Sequence, residues 1–167
     1  MMTLLELNLR VAITAVLLTL VLNAVVPRLI LCSEQQQILS DVKQLSDASV
    51  NEIKLASLQS TCPENLSDIT VNKLVSEGLL TEDWSEKTAE YSVRVSRKTI
   101  HTTSSTTYTK PALVTVQYHF SSIQTAKPFY EIADSHAGKN LFFTRTITRN
   151  DMSQNSYVNS KTGCATL

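Results

Sequence analysis

Hydrophobic and polar positions divide the chain into three stretches of different period. From Val11 to Val26 (VAITAVLLTLVLNAVV) no charged residue occurs, and Leu29 to Cys32 carries the apolar character past Pro27 and Arg28. The Val11–Val26 run alone falls short of the ~20 helical residues that cross a ~30 Å hydrocarbon core. Adding Leu29, Ile30 and Leu31, with Arg28 stretching its stem toward a headgroup, closes the gap. A helix apolar on every side is rare in the core of so small a domain. A cleaved signal fits poorly, because Glu6 accompanies Arg10 ahead of the apolar run and Leu22-Asn23-Ala24 is a weak small-x-small site. A lipoprotein signal fits no better, since Leu31 precedes Cys32. The expectation is an uncleaved transmembrane helix within residues 1–32 that anchors an outer domain, residues 33–167, to a lipid bilayer. Arg10 and Arg28 flank the span symmetrically and leave its orientation open.

The second stretch, Ser33 to Leu58, contains neither Gly nor Pro. Ile38, Val42, Leu45, Val50 and Ile53 recur mostly at three- and four-residue steps, which predicts an amphipathic helix. Joined to the span, it makes one helix of about fifty residues, roughly 75–80 Å at 1.5 Å per residue. Pro27 is expected to kink this helix without ending it. Farther on, Asp68 or Thr70 caps a short helix through Ser76, with Gly78 as its stop.

After Trp84 the period changes to two. Tyr91, Val93 and Val95 alternate with Ser92, Arg94 and Ser96; Val114, Val116, Tyr118 and Phe120 alternate with Thr115, Gln117 and His119. Both read as half-buried strands, and Leu141 to Arg149 (LFFTRTITR) as a third. Phe129 to Ala133 is either a short fourth strand or the turn of a connection. Thr99 to Lys110, dense in Ser and Thr, is either a long polar hairpin or a mobile loop. The fold class that follows is α+β, with an antiparallel sheet over the amphipathic half of the long helix, because each needs the other to cover its apolar face.

Charge changes this picture in its distribution, since the net charge is zero. Acids dominate from Glu34 to Glu90 and bases from Tyr91 onward. Two such halves either attract each other within one monomer or form head-to-tail contacts between identical subunits. Candidate chemistry is sparse. His101, His119 and His136 stand apart with no metal-ligand spacing, and His119 falls on the outward face of its strand with solvent as its expected partner. No nucleophile or phosphate-loop motif occurs, and three glycines are too few to cradle a phosphate. The bases of the second half lack the aromatic platforms of a nucleic-acid binder. The expectation is a protein that is not an enzyme, without a cofactor or metal and without a nucleic-acid partner.

The first residues carry a more specific signal. Met2-Thr3-Leu4-Leu5-Glu6-Leu7, followed by Val11-Ala12-Ile13, resembles the mature start of type IV pilins and of the pseudopilins of type II secretion. The order of elements is similar too: an apolar helix that becomes one-sided, a short capped helix, then strands. The resemblance implies a minor pilin-like subunit of a pilus or pseudopilus that assembles through its N-terminal helix. Its partners would be other pilin-like subunits and inner-membrane assembly components, with the outer domain in the periplasm or on a surface filament. Glu6 would fall on the family's glutamate, which neutralises a neighbour's N-terminal amine, here that of Met2. A carboxylate in lipid is costly without such a partner. The chain departs from the pattern in three respects: only Met1 stands where the family has a leader ending in glycine, Asn8 and Arg10 are polar, and Pro27 lies about one turn late. Glu6 and Arg10 also have the favourable i, i+4 orientation for a pair within one helix. That leaves a second reading, a stationary single-pass inner-membrane protein with a periplasmic domain that binds or scaffolds an assembly.

Cys62 and Cys164 belong to the outer domain. Paired, they close a loop of about 100 residues, worth up to ~4.7 kcal/mol in the chain-entropy account, and imply an oxidising compartment. Spacing alone leaves reduced thiols equally open. A C-terminal disulfide recurs among pilins, so the resemblance implies the bond. Cys32, at the membrane surface, is the odd cysteine.

Overall fold

The computed structural model describes residues 4–59, 68–101, 107–148, 157–158 and 165–166. They form two compact units, Met1–Leu39 and Ser40–Leu167. Helix α1 (Leu4–Leu20) runs into a π-helical turn (Val21–Val25) and then α2 (Val26–Gln59). The wide turn sits immediately before Pro27. Proline has no N–H to return to the fourth carbonyl back and its ring crowds that carbonyl. The backbone answers by widening, with the Val26 N–H reaching the Val21 carbonyl five residues back. The helix therefore continues through the proline, as the sequence pattern predicts.

The second unit is built on the C-terminal part of α2. Val42, Leu45, Ala48, Val50 and Ile53 are buried, Leu45 and Ile53 completely. Opposite them stands a four-stranded antiparallel sheet in the order β1-β2-β4-β3, from β1 (Tyr91–His101), β2 (Thr107–His119), β3 (Ser135–Ala137) and β4 (Asn140–Thr146). Register places Tyr91, Tyr118 and Leu141 in one inward row, Val93, Val116 and Phe143 in the next, and Val95, Val114 and Arg145 in the third. Val114, Val116 and Leu141 are fully buried. This is the α+β arrangement expected: a long helix packed on an antiparallel sheet. A short pair, β5 (Tyr157–Val158) with β6 (Ala165–Thr166), completes the described strands.

The connections follow local chemistry. Thr70 caps α3 (Val71–Ser76), its hydroxyl accepting from the Lys73 N–H at 3.2 Å. Gly78, at φ +72°, ends the helix: its N–H bonds to Val75 O and that of Leu79 to Leu74 O, the paired bonds of a left-handed helix stop. A 3-10 segment (Glu82–Ala89) buries Trp84 before β1. Thr99 to Lys110 proves to be mostly strand, the ends of β1 and β2 meeting as far as His101 and Thr107. Phe129 to Ala133 is not a strand but, as the second of the two readings has it, the turn of a connection. Lys127–Ile132 is a 3-10 turn following α4 (Ile123–Ala126), because Ser122 and Thr125 form a reciprocal cap and Pro128 supports a helical turn. The fourth strand is Ser135–Ala137, closed by a two-residue turn whose first residue, Gly138, has φ +59°.

Polar groups pin the apolar seam. Asp41, buried, accepts from Lys87 Nζ at 2.8 Å and from the Tyr91 hydroxyl at 3.1 Å. Burial first, then the Asp41 charge, pushes the Tyr91 phenol well above its ordinary range. Trp84 Nε1 donates to Gln44 Oε1 at 3.3 Å, and Arg145, in its inward row, pairs with Asp47. Glu52, buried, meets Lys73 at 2.6 Å, and Glu77 lies 3.6 Å from the same ammonium. Burial opposes the charge on Glu52, but hydrogen bonds with Glu77 and Lys73 and the lysine's charge hold its carboxyl below the ordinary value. The bond with Glu52 raises Glu77 and is the largest cause raising Lys73. Among the described residues, no buried side-chain nitrogen or oxygen lacks a partner.

Two predictions follow for the second unit, both read by urea unfolding of the full chain in detergent through the single Trp84. Leu45→Ala lowers the unfolding free energy by about 2–5 kcal/mol, whereas Leu55→Ala, on the exposed side of α2, changes it by less than about 0.5 kcal/mol. For pH, a depressed carboxyl stabilises above its unfolded value and loses that as pH falls through its folded value. Glu52 therefore weakens the fold below pH 4.5, and Glu52→Gln flattens this limb. Glu77, being raised, acts in the opposite sense, so Glu77→Gln steepens it. Lys73 stabilises below 10.5 and loses that at higher pH.

Candidate assembly surface

Among the described residues, the helix of the first unit is exposed along its apolar run from Leu9 to Ile30. Leu9, Val11, Val16, Leu18, Leu22 and Leu29 are each more than half exposed, Leu29 at 63%. One helix, within Leu9–Ala56, is long and apolar enough to cross a membrane, and its most apolar window is 0% buried. Because the π turn carries the helix through Pro27, the run Val11–Leu31 spans roughly 31 Å at 1.5 Å per residue, close to a ~30 Å hydrocarbon core.

Two of the four polar side chains inside this run, Thr14 and Thr19, bond to their own backbone. Thr14 Oγ1 donates to Arg10 O and Val11 O, both at 2.9 Å, and Thr19 Oγ1 donates to Ala15 O at 2.8 Å. Such back-bonding lets a hydroxyl sit in lipid or against another helix without an unsatisfied donor. Thr19 borders a shallow apolar groove with Ala15, Val16, Leu20, Asn23 and Ala24. Small residues there let another helix approach closely.

Of the residues expected to act, Glu6 is exposed on the first turn of α1, where the helix dipole favours a carboxylate. Arg10, one turn on, is exposed as well. Met2, Cys62 and Cys164 lie outside the described residues. Cys32 is a free, exposed thiol on α2. His119 does not face solvent alone: Nδ1 lies 2.6 Å from Asn140 Oδ1, its partner directly across β2 and β4. His136 stacks on Tyr130 at 3.8 Å, so the histidines occupy separate settings. Among the described residues, no three His, Cys, Asp or Glu side chains are placed to hold a metal ion. The acidic pins Asp41, Asp47 and Glu52 escaped the sequence pattern; their only signal was an acid immediately before Val42, Ala48 and Ile53 of α2.

Comparison of the chain with protein-family models, with curated proteins and with solved structures finds no match. The site's chemistry therefore has to carry the functional reading.

With this surface bare, the full chain is expected to partition into the detergent phase on Triton X-114 phase separation. Leu18→Lys, placing a charge at mid-span, costs about 3 kcal/mol of insertion and shifts the protein measurably toward the aqueous phase.

Proposed function

We propose that this chain is a structural subunit of a type IV pilus or pseudopilus, a minor pilin-like protein that assembles through its N-terminal helix. It sits as a single-pass protein in the bacterial inner membrane, with its α+β unit in the periplasm or on a surface filament. The observation that carries this reading is a single helix with two kinds of surface: apolar and bare through Leu29 and Ile30, then buried and pinned from Asp41 to Ile53. A tether needs only to cross lipid. A bare apolar helix with small residues beside a shallow groove also suits packing among like helices. The Met2–Leu7 segment supplies the specific chemistry, with Glu6 as the group that meets a neighbour's amine. Cys62 and Cys164, joined, would hold the C-terminus to the end of α2.

The stationary scaffold remains the second reading, favoured by Arg10, which lies one turn from Glu6 on the exposed helix and has the orientation to neutralise it in place.

Mass spectrometry of the protein from cells separates the two. A chain beginning at N-methylated Met2, present in sheared surface filaments, supports the subunit. A chain retaining Met1 and absent from filaments overturns it. Glu6→Ala is expected to block incorporation while Arg10→Ala is tolerated; Arg10→Ala doing equal or greater damage points to the intrahelical pair.

A further inference from the structure

The acidic and basic halves of the sequence are only partly reconciled inside one copy. Asp47 and Arg145 pair across them, and Asp41 and Glu52 take Lys87 and Lys73 from the acidic half itself. Among the described charges outside these pairs, two groups lie on and beside one strand. Glu82, Glu86 and Glu90 are exposed at the 3-10 segment that enters β1. Arg94 and Lys98 are exposed on β1, and Lys110 is half-exposed on β2. Among the described residues, none of these six makes an ion pair.

The basic group is internally unfavourable. Lys98 and Lys110 are direct partners in the β1–β2 register, and like charges placed opposite one another destabilise a strand pair. Arg94 lies on the same face as Lys98, four residues away, opposite the face set by Val95 and its buried partner Val114. The acidic group cannot relieve the Lys98–Lys110 pair within the copy, although Arg94, four residues from Glu90 or roughly 13 Å, lies nearer to it. Glu90 precedes the first residue of β1, and Lys98 lies eight residues along an extended strand, roughly 26 Å at ~3.3 Å per residue. No side chain spans that distance, and about 8 Å of screening at physiological salt removes the attraction across it. Complementary groups at the two ends of one strand, unable to meet each other, match between successive copies. That contact is heterologous and repeats without closing.

We propose that the outer unit associates head-to-tail with a second copy of this chain, the Glu82, Glu86 and Glu90 end of one against Lys98 and Lys110 of the next. The choice of a like subunit as partner rests on the assembly proposed above, whereas the contact itself requires neither Glu6 nor the N-terminal helix. A charge-matched contact of this kind orients neighbours and sets their order more than it supplies affinity.

The test is sedimentation velocity of the full chain in density-matched detergent, with charge-swapped variants whose unfolding transitions match the wild type. The wild type is expected to associate, and less so as salt is raised. K98E/K110E alone and E82K/E86K alone each weaken association by about tenfold, as two attractive contacts become repulsive. Mixing the two variants in equal amounts restores it, because each then carries the charge the other lacks, and so does placing all four substitutions in one chain. Association that neither swap changes, or that mixing fails to restore, overturns the contact. The same holds if K98E/K110E loses only its binding to anionic phospholipid vesicles, which assigns the bases to a lipid surface. Rescue by mixing, in a protein whose wild-type chain retains Met1 and is absent from sheared filaments, leaves the head-to-tail contact standing and removes the pilus reading; a wild type found in filaments that Glu6→Ala cannot enter, with no effect of the swaps on association, does the reverse.

Discussion

The seam between α2 and the sheet is the contact on which the second unit depends. Leu45 and Ile53 are fully buried in it, and the strands offer Val114, Val116 and Leu141 from the other side. Neither surface is stable bare: an isolated helix this amphipathic is marginal, and a sheet with one apolar face needs a cover. The remaining elements are arranged around the seam. Alpha-3 reaches it through the Lys73–Glu52 pair, the 3-10 segment through Trp84 and Lys87, and β4 through Arg145. Each places a charged or polar tip on the helix while its body extends the apolar contact.

The pins have a second effect. Buried acids such as Asp41 and Glu52 are costly without partners, so they penalise any register of helix on sheet that misplaces Lys87, Tyr91 or Lys73. Leu, Val and Ile tolerate a shift along the helix, whereas a carboxylate with one ammonium in reach does not. The aromatic series Trp84, Tyr91, Tyr118, Phe120 and Phe129, with neighbouring ring centroids 4.7–5.4 Å apart, ties the 3-10 segment and the first two strands to the 3-10 turn after β2 in the same way. The outer unit thus has one defined packing of its strands on the C-terminal part of α2.

The first unit obeys different physics. Among the described residues nothing covers its exposed leucines and valines, and its long apolar helix is consistent with a membrane span. Pro27 shows how little this costs the backbone: one π turn absorbs it. Thr14 and Thr19 return their hydroxyls to carbonyls of the preceding turn, and the surface is apolar in effect as well as in composition.

Much of this was legible in the residues alone. Periodicity is a local property, so the apolar run, the stripe from Ile38 to Ile53, the Thr70 cap, the Gly78 stop and the alternation of β1, β2 and β4 could all be read from neighbours a few positions apart. Where two local preferences competed, the reading was open: Phe129 to Ala133 looked apolar enough for a strand, but the Ser122–Thr125 cap and Pro128 commit that stretch to helical turns. Contacts between distant residues left no such trace. That His119 meets Asn140, that Arg145 turns inward to Asp47, and that Lys98 faces Lys110 depend on strand register, a one-residue shift of which would send each side chain to the other face. The sequence by itself determined the apolar run, the long helix, the Thr70-capped helix and the three longer strands, because those follow from spacing along the chain; the 3-10 segment Glu82–Ala89 and the short strand Ser135–Ala137 left no such pattern. Only the tertiary structure decided which charges are spent inside the molecule and which are left facing out, because that depends on distances across it.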